Sequence, residues 1–299
     1  MQQEQYTSAQ LQSSPKHRRA ILWDMDGVFC DGEPPFKSAQ LRALQDHLQY
    51  LLEDFNPSDK DFLKGLELIT TGRSSLEIYK EMVQQYFDHN DSEEKKAKWV
   101  ESLGKSIDRY NLEEIDKLEQ AGKYLYEDTV ATFLECARRR VPMVIVTGSL
   151  GPIAQHTIDL LVARAEGDPE TQAFIRQTVI AFTPETYPGF SKPHPEPYNI
   201  ALAHVRKVHG VEDAIVIEDS PSGVQAAVKA GCVTLVRNDM SDSSIASRIR
   251  EWVTDETRIH PKIQFDLVAQ HLGLDTDCSN SVEYNRDNEE SQSAVIVLG

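Results

Sequence analysis

Five short apolar runs punctuate the chain: Ala20–Trp23, Met143–Thr147, Thr178–Phe182, Ala214–Ile217 and Cys232–Val236. Each is too short for a helix and most are rich in Val and Ile, which predicts β-strands. Their apolarity is continuous, not alternating, so both faces of each strand are covered, as in a parallel sheet. Between them the period becomes helical. Val130, Phe133, Leu134 and Ala137 follow a candidate cap at Asp128, and Ile153, Ile158 and Leu161 follow Gly151-Pro152. Ser220-Pro221 opens a third helix that Gly231 is placed to end. Strands alternating with helices predict an α/β doubly wound parallel sheet.

Residues 36–123 break this rhythm. Leu41, Leu44, Leu48, Leu51 and Phe55 mark one helix face, Leu76, Tyr79, Val83 and Tyr86 a second, and Trp99, Leu103 and Ile107 a third. No strand pattern occurs there. An all-helical domain over 36–123 is therefore expected, inserted into an α/β core formed by 19–35 and 124–274. Ligands of open α/β sheets bind beyond the carboxyl ends of the strands. An insert leaving the end of the first strand is thus placed to cover the site. Residues 1–18, Gln/Ser-rich and without an apolar period, read as a flexible arm. Residues 275–299 read as an acidic tail, whose Ala294–Leu298 stretch either docks as a strand or dangles.

With 299 residues, 40% of them hydrophobic and 26% charged, the chain can bury a sizeable core. No apolar run approaches the roughly 20 residues that span a bilayer, which excludes pumps and channels. The balance of 48 acidic to 31 basic residues leaves a formal charge of −17. That field repels phosphate backbones and argues against nucleic acid as a partner, though not against a local pocket for a small anion. Cys30, Cys136, Cys232 and Cys278 form neither CxxC pairs nor a secreted framework. There is no apolar secretory signal, and the basic patch Lys16-His17-Arg18-Arg19 is poor in arginine for a transit peptide. A cytoplasmic setting is expected.

The chemistry gathers where the predicted strands end. Ala20–Trp23 runs into Asp24-Met25-Asp26-Gly27-Val28. In extended backbone, acids spaced i, i+2 point the same way, and Gly27 then lets the chain turn. Two such charges repel unless a cation neutralises them or one holds a proton; a strand-end turn capped by Asp is the simpler alternative. The second strand ends in Thr147-Gly148-Ser149, either a phosphate cradle at a helix start or a plain N-cap. The fourth ends in Glu218-Asp219-Ser220-Pro221, adjacent acids that suit a hard cation such as Mg2+ or, again, a cap. Lys192 lies in a proline-stiffened entry to a helix, Ser191–Tyr198, between strands three and four.

Together these pieces resemble the haloacid dehalogenase superfamily. Asp24-Met25-Asp26-Gly27-Val28 is similar to its first motif, Thr147 to the second, Lys192 to the third and Glu218-Asp219 to the fourth, in the family's order over about residues 19–240. The insert has the position of the family's helical C1 cap. Asp31-Gly32-Glu33-Pro34 resembles the Asp-Ser-Glu-Pro at which that cap begins. Lys192–Tyr198 resembles the Lys-Pro-x-Pro-Glu-Pro-Tyr of the sugar- and polyol-phosphate phosphatase branch. Trp23 stands for the usual Phe, Gly32 for a common Ser, and Leu161–Phe190 is longer than usual.

The resemblance implies a phosphatase acting on a small phosphorylated metabolite, with Asp24 as nucleophile and Asp26 as general acid and then base. It implies Mg2+ held by Asp24, the Asp26 carbonyl, Asp219 and Glu218, the last directly or one shell out. Thr147, Gly148, Ser149 and Lys192 would bind the phosphoryl group, Lys192 also pairing with Asp24. Arg73, in Thr71-Gly72-Arg73-Ser74, would contact the leaving group. Asp26 argues against a dehalogenase, which lacks the second aspartate, and nothing marks the cap lysine of a phosphonatase. A β-phosphoglucomutase-like phosphomutase shares all four motifs and stays the alternative, with a non-catalytic binding protein behind it. A monomer or weak homodimer is expected.

Overall fold

The computed structural model describes residues 17–48, 64–66, 74–87 and 91–274. Six parallel strands form one sheet in the order β3-β2-β1-β4-β5-β6. They are β1 (Arg19–Trp23), β2 (Met143–Val146), β3 (Ala181–Phe182), β4 (Asp213–Glu218), β5 (Val233–Arg237) and β6 (Ile259–His260). The central strand β1 pairs Ile21 with Met143 on one side and Ile215 on the other. Ala20, Ile21, Leu22 and Trp23 are all wholly buried. The continuous apolar run has its reason here, because alternate side chains enter different cores. Ile21, Trp23, Met143, Ile145, Ile215 and Ile217 face one layer, with Phe29 and Phe133. Ala20, Leu22, Val144, Val146, Ala214 and Val216 face the other. In the first layer Trp23, Phe29 and Phe133 meet with ring centroids 5.0, 6.0 and 5.3 Å apart.

Among the described residues seven helices flank the sheet: α4 (Glu127–Arg138), α5 (Gly151–Arg164), α6 (Pro169–Thr178), α7 (Glu196–His209), α8 (Pro221–Lys229), α9 (Ser243–Arg250) and α10 (Phe265–Leu272). Helices α4, α5, α6 and α10 pack into the layer of Trp23, and α7 and α8 into that of Leu22. Three more, α1 (Glu33–Leu48), α2 (Ser75–Tyr86) and α3 (Glu93–Gln120), build the helical insert around their own cluster. Ala39, Leu44, Tyr79, Met82, Leu103 and Ile107 are at its centre. A Cβ on Gly104 would lie 2.8 Å from the Tyr79 ring, so α2 and α3 cross closely there. The two chain crossings between sheet and insert are tied together: Asp31 N–H donates to Tyr124 O (3.1 Å) and Tyr126 N–H to Phe29 O (2.8 Å). The insert also touches the sheet domain from above, with Ser75 N–H on Gly148 O (3.1 Å) and the Ser191 hydroxyl on Glu77 Oε1 (3.0 Å).

Several expectations change. The third strand is only Ala181–Phe182, because Thr178 is the last residue of α6. That helix starts as Asp168-Pro169, with the Asp168 carboxylate accepting the Thr171 N–H at 3.0 Å and proline in the first turn. Its 10 residues lie in the middle of the long Leu161–Phe190 stretch. Strand β6 adds a sixth member that two residues of sequence could not announce. Asp128 does not cap α4, whose N-cap is Tyr126; its carboxylate instead accepts the Ile263 N–H at 2.9 Å. Leu51 and Phe55, residues 1–16 of the arm and the whole tail 275–299 lie outside the described residues. Among the described residues no helix is long and apolar enough to cross a membrane.

Candidate active site

Asp24 directly follows β1, Thr147 follows β2, Glu218 ends β4 and Asp219 follows it. Parallel pairing therefore brings their carboxyl ends to one rim, at the point where the order turns outward on both sides of β1. Lys192 enters from the loop before α7. Its ammonium donates to Asp24 Oδ1, to Glu218 Oε1 at 2.7 Å and to Val146 O at 3.1 Å, so all three of its protons are used.

Glu218 is wholly buried and fully engaged. Oε1 accepts from Lys192 and from the Tyr198 hydroxyl at 2.7 Å. Oε2 accepts from Asp219 N–H (3.0 Å), Ser220 N–H (3.2 Å) and the Ser220 hydroxyl (3.2 Å). Asp219 is the opposite case, since its carboxylate accepts no hydrogen bond among the described residues. It lies against the Gly27 turn, where a Cβ would fall 2.0 Å from its Oδ2. Carboxylate oxygens of Asp24, Glu218 and Asp219 lie within 4.8 Å of one another.

Three acids this close strain against each other. Burial, then repulsion from Glu218, pushes the Asp24 carboxyl up to about 8, with Lys192 pulling the other way. Burial, then Asp24 and Glu218, drives Asp219 well above the usual carboxylate range. Burial also acts against the charge on Lys192, but Asp24 and Glu218 outweigh it and hold the ammonium charged. A hard divalent cation relieves this arrangement, and oxygen donors are what Mg2+ takes. The fit is good: among the described residues Asp24 Oδ2 and both oxygens of Asp219 carry no donor, while Glu218, its oxygens already bonded five times, sits behind them.

Asp26 faces a different set of groups. Its Oδ2 accepts the Ser149 hydroxyl at 2.9 Å and the Thr147 hydroxyl at 3.4 Å. Burial raises its carboxyl above the ordinary value, with those hydroxyls and Lys192 opposing. Gly32 makes room for it, since a Cβ there would meet Asp26 Oδ1 at 1.9 Å. Thr147 also accepts the Ser149 N–H at 3.0 Å and is itself wholly buried.

A cavity of about 490 Å3 opens above these groups. Asp24, Asp26, Gly148, Ser149, Lys192 and Asp219 line it, whereas Thr147 and Glu218 stand behind its wall and act on it through Asp26 and Lys192. Arg73 lies outside the described residues. Three contributors carried no local signal. Tyr187 lines the cavity and donates to Thr147 O. Arg237 donates to Gly27 O (3.3 Å) with its guanidinium 3.8 Å from the centre of the Tyr126 ring. Asn111 lines the cavity from α3. The Tyr198 anchor was legible as the end of Lys192–Tyr198.

The family model of the haloacid dehalogenase-like hydrolases matches residues 18–231. No curated protein matches. Among solved structures, a mutant of CbbY from Rhodobacter sphaeroides in complex with xylulose-(1,5)bisphosphate is similar at 18% identity and a TM-score of 0.55, over 82% of this chain and 94% of that one. A β-phosphoglucomutase from Clostridium difficile is similar at 14% identity and 0.52, over 85% and 97%. A predicted phosphoglycolate phosphatase from Haemophilus somnus is similar at 16% identity and 0.54, over 86% and 99%. At these identities the likeness is one of fold.

Proposed function

The chain belongs to the haloacid dehalogenase-like hydrolases, and from that premise we propose that it is a Mg2+-dependent phosphatase acting on a small sugar or polyol monophosphate. One observation carries this reading. Asp24, paired with Lys192, and Asp26, two residues on and bonded instead to Ser149 and Thr147, line one cavity with different environments. Two carboxyls in different settings can take different roles.

In the first half-reaction Asp24 attacks phosphorus, the bond from phosphorus to the leaving oxygen breaks, and Asp26 gives that oxygen its proton. Burial keeps Asp26 protonated further up the pH scale than a free carboxyl, which suits an acid. In the second, Asp26 takes a proton from water as the water attacks phosphorus. The bond to Asp24 breaks, releasing inorganic phosphate and restoring the Asp24 carboxylate. Lys192 and the Gly148 backbone N–H offset charge on the phosphoryl oxygens, the Ser149 N–H being held by Thr147. Asp24, Asp219 and the Asp26 carbonyl would hold Mg2+ with Glu218 supporting from behind, and the ion would supply charge compensation for the phosphate dianion. The partner this reading implies is the small phosphorylated metabolite, bound by a monomer or weak homodimer.

The experiment is release of inorganic phosphate from aryl, sugar and polyol monophosphates, with Mg2+ and after exhaustive EDTA treatment. Turnover that needs the cation and disappears in Asp24→Asn is expected. Full activity without metal, or a tenth of kcat retained in Asp24→Asn, overturns the reading. Isomerised sugar phosphate without phosphate release would mark a phosphomutase instead.

A further inference from the structure

Helices of the insert supply one wall of the cavity: Phe36 and Lys37 from α1, Ile78 from α2, and Asn111 and Ile115 from α3. Asn111 is 5% exposed, yet its Oδ1 has no hydrogen-bond partner and no described residue bonds its amide. A helix interior disfavours asparagine, and an unpaired buried amide is a further penalty. Leucine, of nearly the same shape, would remove both.

The charges around this wall narrow what the amide can meet. Lys192 is committed to Asp24 and Glu218, and Lys37 lies 2.7 Å from Glu33. No other cation lines the cavity among the described residues, while Asp31 and Glu33 do. A leaving group with a second phosphate or a carboxylate would meet acids there. A hydroxyl both gives and accepts a hydrogen bond, which an amide can answer with oxygen and nitrogen alike. Phe36, Ile78 and Ile115 offer apolar faces for the carbon skeleton. Resting on the phosphatase reading, we propose that Asn111 is a specificity-determining residue whose amide hydrogen bonds a hydroxyl of a neutral, polyhydroxylated leaving group.

The test compares kcat/KM for glucose 6-phosphate, ribose 5-phosphate and glycerol 3-phosphate with that for p-nitrophenyl phosphate. The proteins are wild type, Asn111→Leu, Asn111→Ala and Gln40→Leu. Gln40 is the control: its amide is also buried and unpartnered, but it does not line the cavity. For the best hydroxylated ester, both Asn111 variants are expected to lose about 10- to 100-fold relative to the aryl ester. Asn111→Leu should keep or raise Tm, which a merely structural asparagine would not allow. Gln40→Leu should leave the ratio of the two esters where it was. An unchanged ratio in the Asn111 variants, parallel losses on both esters, or a wild type that cleaves the aryl ester and no hydroxylated one overturns the inference while sparing the phosphatase. Release of phosphate from no ester at all removes the phosphatase reading, and this inference with it.

Discussion

Alanine at Gly27 probes the turn that separates the two aspartates from the rest of the site. Gly27 has φ +81° and an added Cβ would fall 2.0 Å from Asp219 Oδ2 and 2.3 Å from its Cγ. Non-bonded carbon and oxygen settle near 3.4 Å, so the Asp219 carboxylate must retreat by more than about 1 Å. Metal–ligand distances tolerate only about 0.2 Å. The substitution should therefore remove Asp219 as a ligand in addition to straining the backbone by about 1–2 kcal/mol. Gly122, at the end of α3, separates the two effects, with φ +65° and nothing within 4 Å of an added Cβ. Both variants should lower the metal-free Tm, by roughly 2–8 °C. Only Gly27→Ala should weaken Mg2+, by at least about 10-fold, read from the dependence of Tm on Mg2+ concentration. A Mg2+ half-saturation within twofold of wild type in Gly27→Ala would refute the argument that this glycine is the space Asp219 occupies.

Three further outcomes follow from the same geometry. Lys192→Met leaves Asp24 and Glu218 facing each other without the ammonium between them, so kcat should fall by at least about 10^2, and a fall under tenfold would contradict the pairing. Asp24 is raised to about 8, so its contribution to metal-free stability is whole below about pH 4 and is lost as pH rises through 8. Mg2+ favours the ionised carboxylate, so the Tm gain on adding it should be small at pH 5.5 and grow towards pH 8.5; an equal gain at both would be inconsistent with that shift. Asp26→Asn should lose about 10^2 to 10^4 in a single-turnover burst with an alkyl phosphate and far less with an aryl phosphate, whose leaving group needs no proton, and equal losses would take Asp26 out of the acid role.

Much of this protein is local and therefore written in the chain. A strand buried on both faces has to be apolar throughout, so β1, β2, β4 and β5 show themselves. Asp24 and Asp26 share a strand end, and Glu218-Asp219 is a dipeptide, so these carboxylates are visible without a fold. Signals that compete locally were harder: Thr178 and Val179 are β-formers, but the Asp168-Pro169 start made a helix of the stretch ending at Thr178. Strand β6 is two residues long and exists only because β5 offers Val236 and Arg237 as partners.

Tertiary structure decided the division of labour. Lys192 and Asp24 stand 168 residues apart and meet because β1, β2 and β4 align their ends. Glu218 and Asp219 are neighbours with the same side-chain chemistry, yet one is saturated by donors from three segments and the other is left open. Thr147 ends behind the cavity wall rather than on it, and Asn111, polar on a helix, ends buried and unpaired in the wall of the same cavity. Residue type and spacing determine which groups can do chemistry. Which of them face a cavity, and which are satisfied by neighbours, depends on desolvation and hydrogen bonding between distant segments, and these exist only once the sheet and the insert have packed.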